Sequence, residues 1–254
     1  MIYSQSIRNL EDSMRTCRSG TCIVCSGLPL TLLAAFVVVF SSSSTVSQER
    51  ADKSAPAGWI ELFNGRDLAG WVVEGTKENN KSGEAKPVWS VQDGLIHCEG
   101  TGFGFLRYDR EWCDFVLHVE YRLTKACNSG IGIRHAKFTG RSKTRPSYSG
   151  YEVQLLDDGG KQPNKGSTAS LYRYVAPKAL PVKKPGEWNT IEIECRGPRI
   201  KITLNGELVQ DVDQSTIDEI KEKRLCGYVS VQNHGKTIDF RNLRLKNLRS
   251  EKEG

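Results

Sequence analysis

The sequence predicts an all-β fold, an antiparallel β-sandwich of jelly-roll type with one short helix. Three observations predict it. Apolar and polar side chains alternate with a period of two, as in Phe115, Leu117, Val119 and Tyr121 set against Val116, His118, Glu120 and Arg122. Asp93-Gly94 and Asn205-Gly206 lie between such runs, and these dipeptides tolerate the positive φ that two-residue hairpins demand. There is no internal repeat and no second hydrophobic centre, and 254 residues suit one sandwich, a fold that commonly runs past about 200.

The first 44 residues stand apart from this pattern. Arg8, Arg15 and Arg18 precede an apolar run from Leu28 to Phe40, and the serines Ser41 to Ser44 follow it. A basic region, an apolar core and a small-residue cleavage zone make a secretory signal peptide, 1–44. The apolar run has 13 residues, short of the roughly 20 that span a bilayer. An exported protein with no stable membrane span after cleavage is therefore expected, in the periplasm or outside the cell. Met14 opens a more ordinary leader, Met14-Arg15-Thr16-Cys17-Arg18, and is expected to be the true start. Residues 45–57 carry Ser, Ala, Pro and charges, as a linker would.

The domain is expected over 58–248. After the Phe115 strand, Ile191, Ile193 and Cys195 alternate with Glu192, Glu194 and Arg196, and Ile200, Ile202 and Leu204 continue the period. Gln214 to Arg224 alone reads as helical. The tail, 249–254, is charged and carries no assigned function.

Composition excludes several classes. At 38% hydrophobic and 26% charged, the chain is neither disordered nor fibrous. Its net charge of +6, from 36 basic and 30 acidic residues, is dispersed without a block of one sign, which argues for a solvated surface and against nucleic acid. Cys17, Cys22 and Cys25 fall in the leader, so their CxxC spacing is not read as a metal or redox site. Cys98, Cys113, Cys127, Cys195 and Cys226 are odd in number, which leaves room for one or two bridges and at least one buried free thiol.

Parity along the strands gathers a set of polar groups. In Tyr151 to Leu155, Glu152 and Gln154 point away from the apolar face. In Gly227 to His234, Val229 and Val231 face the core, so Tyr228, Ser230, Gln232 and His234 share the other side. In Asn128 to Arg134, Ile131 and Ile133 face inward, leaving Gly130, Gly132 and Arg134 outside with room for a ligand to approach. Tyr172 and Tyr174 offer aromatic faces for a sugar. A bland alternative stands beside each reading: a wet sheet face, an Arg134–Glu152 ion pair, glycines relieving a bulge. Convergence of a carboxylate, an imidazole, a guanidinium and two amides at matched parity favours a site. His97, His118 and His135 show no metal-ligand spacing.

Together these segments resemble a known family. Trp59 to Trp71, containing Leu62-Phe63-Asn64-Gly65-Arg66-Asp67-Leu68, is similar to the "LFNGKDLSGW" opening of the 3-keto-disaccharide hydrolase domain. Asn128-Ser129-Gly130 with Arg134, Tyr151 to Asp157 ("YEVQxLD"), Ala176-Pro177, Trp188-Asn189-Thr190, Leu204-Asn205-Gly206 and Phe240-Arg241-Asn242-Leu243 match its later motifs in order. The resemblance covers about 58–248. It implies a laminin-G and concanavalin-like jelly roll, and enzymes described as 3-keto-glucoside 1,2-lyases and 3-keto-2-hydroxy-glucal hydratases.

The implied chemistry suits the gathered residues. A ketone at C3 acidifies the C2 proton, and the glycosidic oxygen at C1 becomes a β leaving group. Elimination, followed by return of water to the enone, needs a base, an acid and an electrophile for the enolate oxygen. Carried over, His234 or Glu152 serves as base and acid, and Arg134 as enolate stabiliser or substrate clamp. Gln154 and Gln232 orient hydroxyls, and Tyr172 donates a proton or stacks. One divalent metal ion held by Glu152 and His234 is the alternative electrophile to Arg134. Retaining β-glucanases on this roll carry E-x-D-x-x-E, whereas here the stretch runs from Glu152 to Asp157 with an amide at its centre, so double displacement requires Asp157 to bend into the cleft. A non-catalytic carbohydrate-binding module of laminin-G type is the remaining alternative.

Overall fold

The computed structural model describes residues 56–80 and 83–249. The expected leader 1–44 with Met14 and its three cysteines, most of the linker and the tail beyond Arg249 lie outside the described residues. No described helix is long and apolar enough to cross a membrane.

The N-terminal strands are β1 (Ile60–Glu61), β2 (Trp71–Gly75), β3 (Glu78–Asn79), β4 (Lys86–Pro87), β5 (Trp89–Gln92), β6 (Leu95–Cys98) and β7 (Gly104–Tyr108). The long strands β8 (Phe115–Leu123) and β9 (Asn128–His135) follow, then the helical turn α1 (Pro146–Ser149) and β10 (Tyr151–Leu156). The chain closes with β11 (Trp188–Arg196), β12 (Arg199–Leu204), β13 (Glu207–Asp213), β14 (Tyr228–Asn233) and β15 (Ile238–Asn247).

These strands form the predicted antiparallel sandwich. One sheet runs β13-β12-β11-β8-β15-β6-β5, with β1 beside β15; the other runs β10-β9-β14-β7-β2. Phe115, Leu117, Val119, Tyr121, Ile191 and Ile193 from the first meet Ile131, Ile133, Val153, Leu155, Val229 and Val231 from the second in one buried core. Burying each such side chain contributes roughly 1.5–3 kcal/mol, which is why the period of two is the strongest signal in the sequence. Both anticipated hairpins are present: Asp93 and Asn205 take φ of 50°, followed by Gly94 and Gly206 at 73° and 88°.

Several of the motifs that carry the resemblance are architectural. The Asn64 side chain accepts from the Arg66 and Asp67 amides and donates to the Asp67 carboxylate, while the Trp71 indole donates to Leu62 O at 2.6 Å. Asn205 Nδ2 donates to Asn189 Oδ1 at 2.8 Å, locking the two Asn-containing motifs together. Asn242, at φ 51°, forms the bulge where β15 shifts register against β8 and donates to Glu120.

The helix lies elsewhere than the sequence suggests. Gln214–Thr216 is a single 3-10 turn capped by Asp213, the segment to Arg224 continues as turns, and the one α-helical turn among the described residues is α1. Between Gln214 and Arg224 only Gln214 and Ile220 are buried, so no apolar stripe holds a helix against the core. Cys113 and Cys226 form a disulfide beside the Trp112–Gly227 bridge. Cys98, Cys127 and Cys195 are buried free thiols that burial pushes up to about 12, 11 and 12, which makes them poor nucleophiles.

Candidate active site

The five-stranded sheet turns its second face to loops, and a cavity of about 350 Å³ opens there. Its floor follows from register. On β9, Gly132 stands opposite Glu152 and Gly130 opposite Gln154, and on the other side Gly132 pairs with Ser230 of β14. Side chains of even parity on β10 and β14 therefore reach over a strand that carries glycine. Gln232 Nε2 donates to Glu152 Oε1 at 2.9 Å across that strand. A Cβ added at Gly130 would lie 3.0 Å from Glu152 Cγ, and one at Gly132 would lie 2.4 Å from Ser230 Oγ. The space left by the two glycines is thus filled by the protein's own side chains rather than by a ligand.

Glu152, Gln154, Gln232, His234 and Tyr172 all line the cavity, as predicted from parity and the tyrosine pair. Arg134 does not. It takes φ 50°, which breaks the strand alternation after Ile133 and turns the side chain to the buried side. There Nε and Nη2 donate to Cys113 O at 3.0 and 2.7 Å, and Nη1 donates to Gly197 O at 2.7 Å. It is neither substrate clamp nor partner of Glu152. Asp157 is also outside: it follows the end of β10, and its carboxylate accepts from the Ala126 amide at 2.8 Å. Tyr174 donates to Ser147 O at 3.1 Å instead of sharing a sugar face with Tyr172, because the two lie in a turn where parity does not apply. Tyr228 is covered by the Arg107 guanidinium, 4.2 Å from its ring centre.

The walls come from residues that sequence reasoning missed. Arg145, Ser147 and Tyr148 come from the start of α1, Arg173 from the turn after Leu171, and Phe103 from the loop before β7. Arg145 lies over the Phe103 ring at 4.5 Å, and His234 packs edge-on against the same ring at 5.2 Å. Asn233 Nδ2 donates to Thr101 O at 2.6 Å, which fixes the His234 turn to the loop that carries Phe103. These loops have no periodicity; the one local cue was Pro146, which suits the first position of a helical turn.

Electrostatics distinguish the two titratable groups. Burial raises the Glu152 pKa, and the hydrogen bonds from Gln232 and Ser147 and the charge of Arg145 offset only part of that rise. His234 moves down, first through lost hydration of the ring and then through Arg145. At neutral pH the pocket offers a neutral imidazole together with a carboxyl group that holds its proton more tightly than usual. Asn128 Oδ1 and Gln232 Oε1 are buried acceptors with no protein partner, suited to sugar hydroxyls. A divalent ion fits poorly. No cluster of three His, Cys, Asp or Glu exists among the described residues, Glu152 is already held by two donors, and the Arg145 charge acts on both proposed ligands.

The model of the 3-keto-alpha-glucoside-1,2-lyase-like domain matches residues 58–246. The chain belongs to this family. A 3-keto-disaccharide hydrolase of Bacteroides thetaiotaomicron is 27% identical over 259 aligned positions, covering 84% of this chain and 87% of that protein. Two candidate glycosyl hydrolases of Parabacteroides distasonis share the fold, with TM-scores of 0.63 and 0.60 at 22% and 25% identity. The alignments cover 76% and 75% of this chain and 94% and 99% of those chains. Family membership bears out the resemblance read from the ordered motifs, and Glu152 and Gln154 lie within the matched residues.

Proposed function

We propose that this domain cleaves 3-keto-glycosides by elimination and rehydration. The observation that carries the reading is the meeting of Glu152 and His234 in one pocket with their proton affinities shifted toward each other. The neutral His234 ring removes the C2 proton of the bound 3-keto sugar. Electrons move into the C1–C2 bond, the bond from C1 to the glycosidic oxygen breaks, and protonated Glu152 gives its proton to the departing oxygen. Arg145, near both groups, faces the negative charge that develops on the C3 oxygen. Water then adds at C1 with Glu152 as base, and His234 returns a proton to C2, so the net change is hydrolysis with both residues restored. Gln232 orients the Glu152 carboxyl, and Asn128, Gln154 and Tyr172 are placed for hydroxyl contacts.

Double displacement receives less support. It needs two carboxyl groups about 5–5.5 Å apart, and among the described residues Glu152 is the sole acidic one lining the cavity. The curated relative's name supports a 3-keto-disaccharide as the substrate class. The leader-like segment 1–44 supports export, so that substrate is met outside the cytoplasm.

Incubation with a 3-keto-disaccharide, following released sugar and enone absorbance, tests the reading. Release with a transient enone, unaffected by chelator, is expected. No release from several linkages while sugar still binds would assign the domain to carbohydrate-binding modules instead.

A further inference from the structure

The two cavity arginines lie over different rings. Arg145 shares the Phe103 ring with His234 and so belongs to the reacting end. Arg173 lies over the Tyr148 ring at 4.3 Å, next in sequence to Tyr172. Its positive charge acts on Lys223 and Tyr174, while Arg145 is the charged residue that acts on Glu152 and His234.

Arg173 is also held in an unusual way. Its φ is 76°, a left-handed conformation that disfavours a side chain by about 1 kcal/mol or more. Its amide donates to Lys165 O at 2.9 Å, which anchors the turn. Several guanidinium groups elsewhere are held by carboxylates, as Arg107 by Glu74, Arg122 by Asp239 and Arg199 by Asp211. Among the described residues Arg173 has no carboxylate partner, and its exposed guanidinium lies over an aromatic ring while lining the cavity. A guanidinium edge matches a carboxylate or sulfate with two parallel hydrogen bonds.

We propose that Arg173 makes this pocket prefer 3-keto-glycosides whose leaving group carries an oxyanion, a carboxylate or a sulfate ester. The inference rests on the reading of the cavity as a 3-keto-glycoside site and adds the substrate class. Arg145 and His234 hold the glycone end, so the wall of Tyr148, Tyr172 and Arg173 receives the leaving group. Tyr148 supplies a stacking face and the charge supplies selection.

The test compares kcat/KM of the full chain for two 3-keto-glycosides of the same glycone and linkage, one with a uronic acid as leaving sugar and one with its neutral hexose counterpart. A preference for the acid of about tenfold or more is expected at low salt. It should shrink as salt rises, fall to about one in Arg173→Gln and survive in part in Arg173→Lys. Equal turnover of the two substrates, or a preference untouched by Arg173→Gln, overturns the proposal and leaves the elimination reading in place. If neither substrate is cleaved, the reaction assignment fails, and titration with the free uronic acid decides the subsite. Binding that weakens in Arg173→Gln upholds it, and absence of binding overturns it.

Discussion

Gln232 on β14 donates a hydrogen bond to Glu152 on β10 at 2.9 Å, although β9 lies between the two strands. The bond exists because Gly130 presents no side chain at the crossing. A methyl group there would meet Glu152 Cγ at 3.0 Å and Oε1 at 3.1 Å. Gly130→Ala is therefore expected to displace the carboxyl group and lower kcat by on the order of ten- to a hundredfold, with little change in the melting temperature. Steady-state kinetics beside a thermal melt would check it, and undiminished kcat would show that the placement of Glu152 does not matter.

The same glycines show how far the sequence could be read. Period-two alternation placed Glu152, Gln154 and Gln232 on one face, because strand geometry leaves the backbone no other choice, and His234 reaches the same cavity from one residue past the end of β14. It failed at Arg134, where a single left-handed residue reverses the facing, and at Asp157, one step beyond the end of its strand. Arg145, Ser147, Tyr148 and Phe103 sit on loops whose paths are set by tertiary contacts, such as the Asn233 to Thr101 hydrogen bond, and no local pattern encodes those. The "LFNG" and "LNG" motifs carry the resemblance through turn chemistry, and none of their residues lines the cavity.

Arg134 and Arg145 should respond in opposite ways. Arg134 is fully buried and donates to two backbone carbonyls and Asp114, so Arg134→Gln is expected to cost about 3–5 kcal/mol of stability. Arg145 is exposed at the cavity wall, so Arg145→Gln should leave the melt unchanged and lower kcat by about a hundredfold or more. Thermal melts and turnover of the two variants separate these roles. A reversed pattern would return Arg134 to the site.

Activity should follow a bell in pH. Turnover falls on the acid side when His234 takes a proton, below the ordinary histidine value of 6.5 because its pKa is lowered. It falls on the alkaline side when Glu152 loses its proton, above the ordinary glutamate value of 4.5 because its pKa is raised. A kcat/KM profile that keeps rising into alkaline pH would contradict Glu152 as the acid.

Stability carries a separate pH signature. His135 is fully buried, donates from Nδ1 to Ala136 O at 2.7 Å, and is pushed down to about 4 by burial. The unfolded chain binds this proton at higher pH than the folded one, so the contribution is complete above the unfolded value of 6.5 and is lost as pH falls toward 4. The full loss is about 3 kcal/mol. Urea unfolding between these pH values should show a drop that His135→Gln removes, and identical slopes in the two proteins would exclude His135 as its source.

Proton NMR of the reaction in deuterium oxide tests the elimination itself. If His234 removes the C2 proton and later returns one from solvent, the released 3-keto sugar carries deuterium at C2, beyond the exchange of a control without protein, and an enone signal rises and falls during turnover. Sugar released with its C2 proton intact and no enone at any time would contradict the mechanism and point to direct attack at C1.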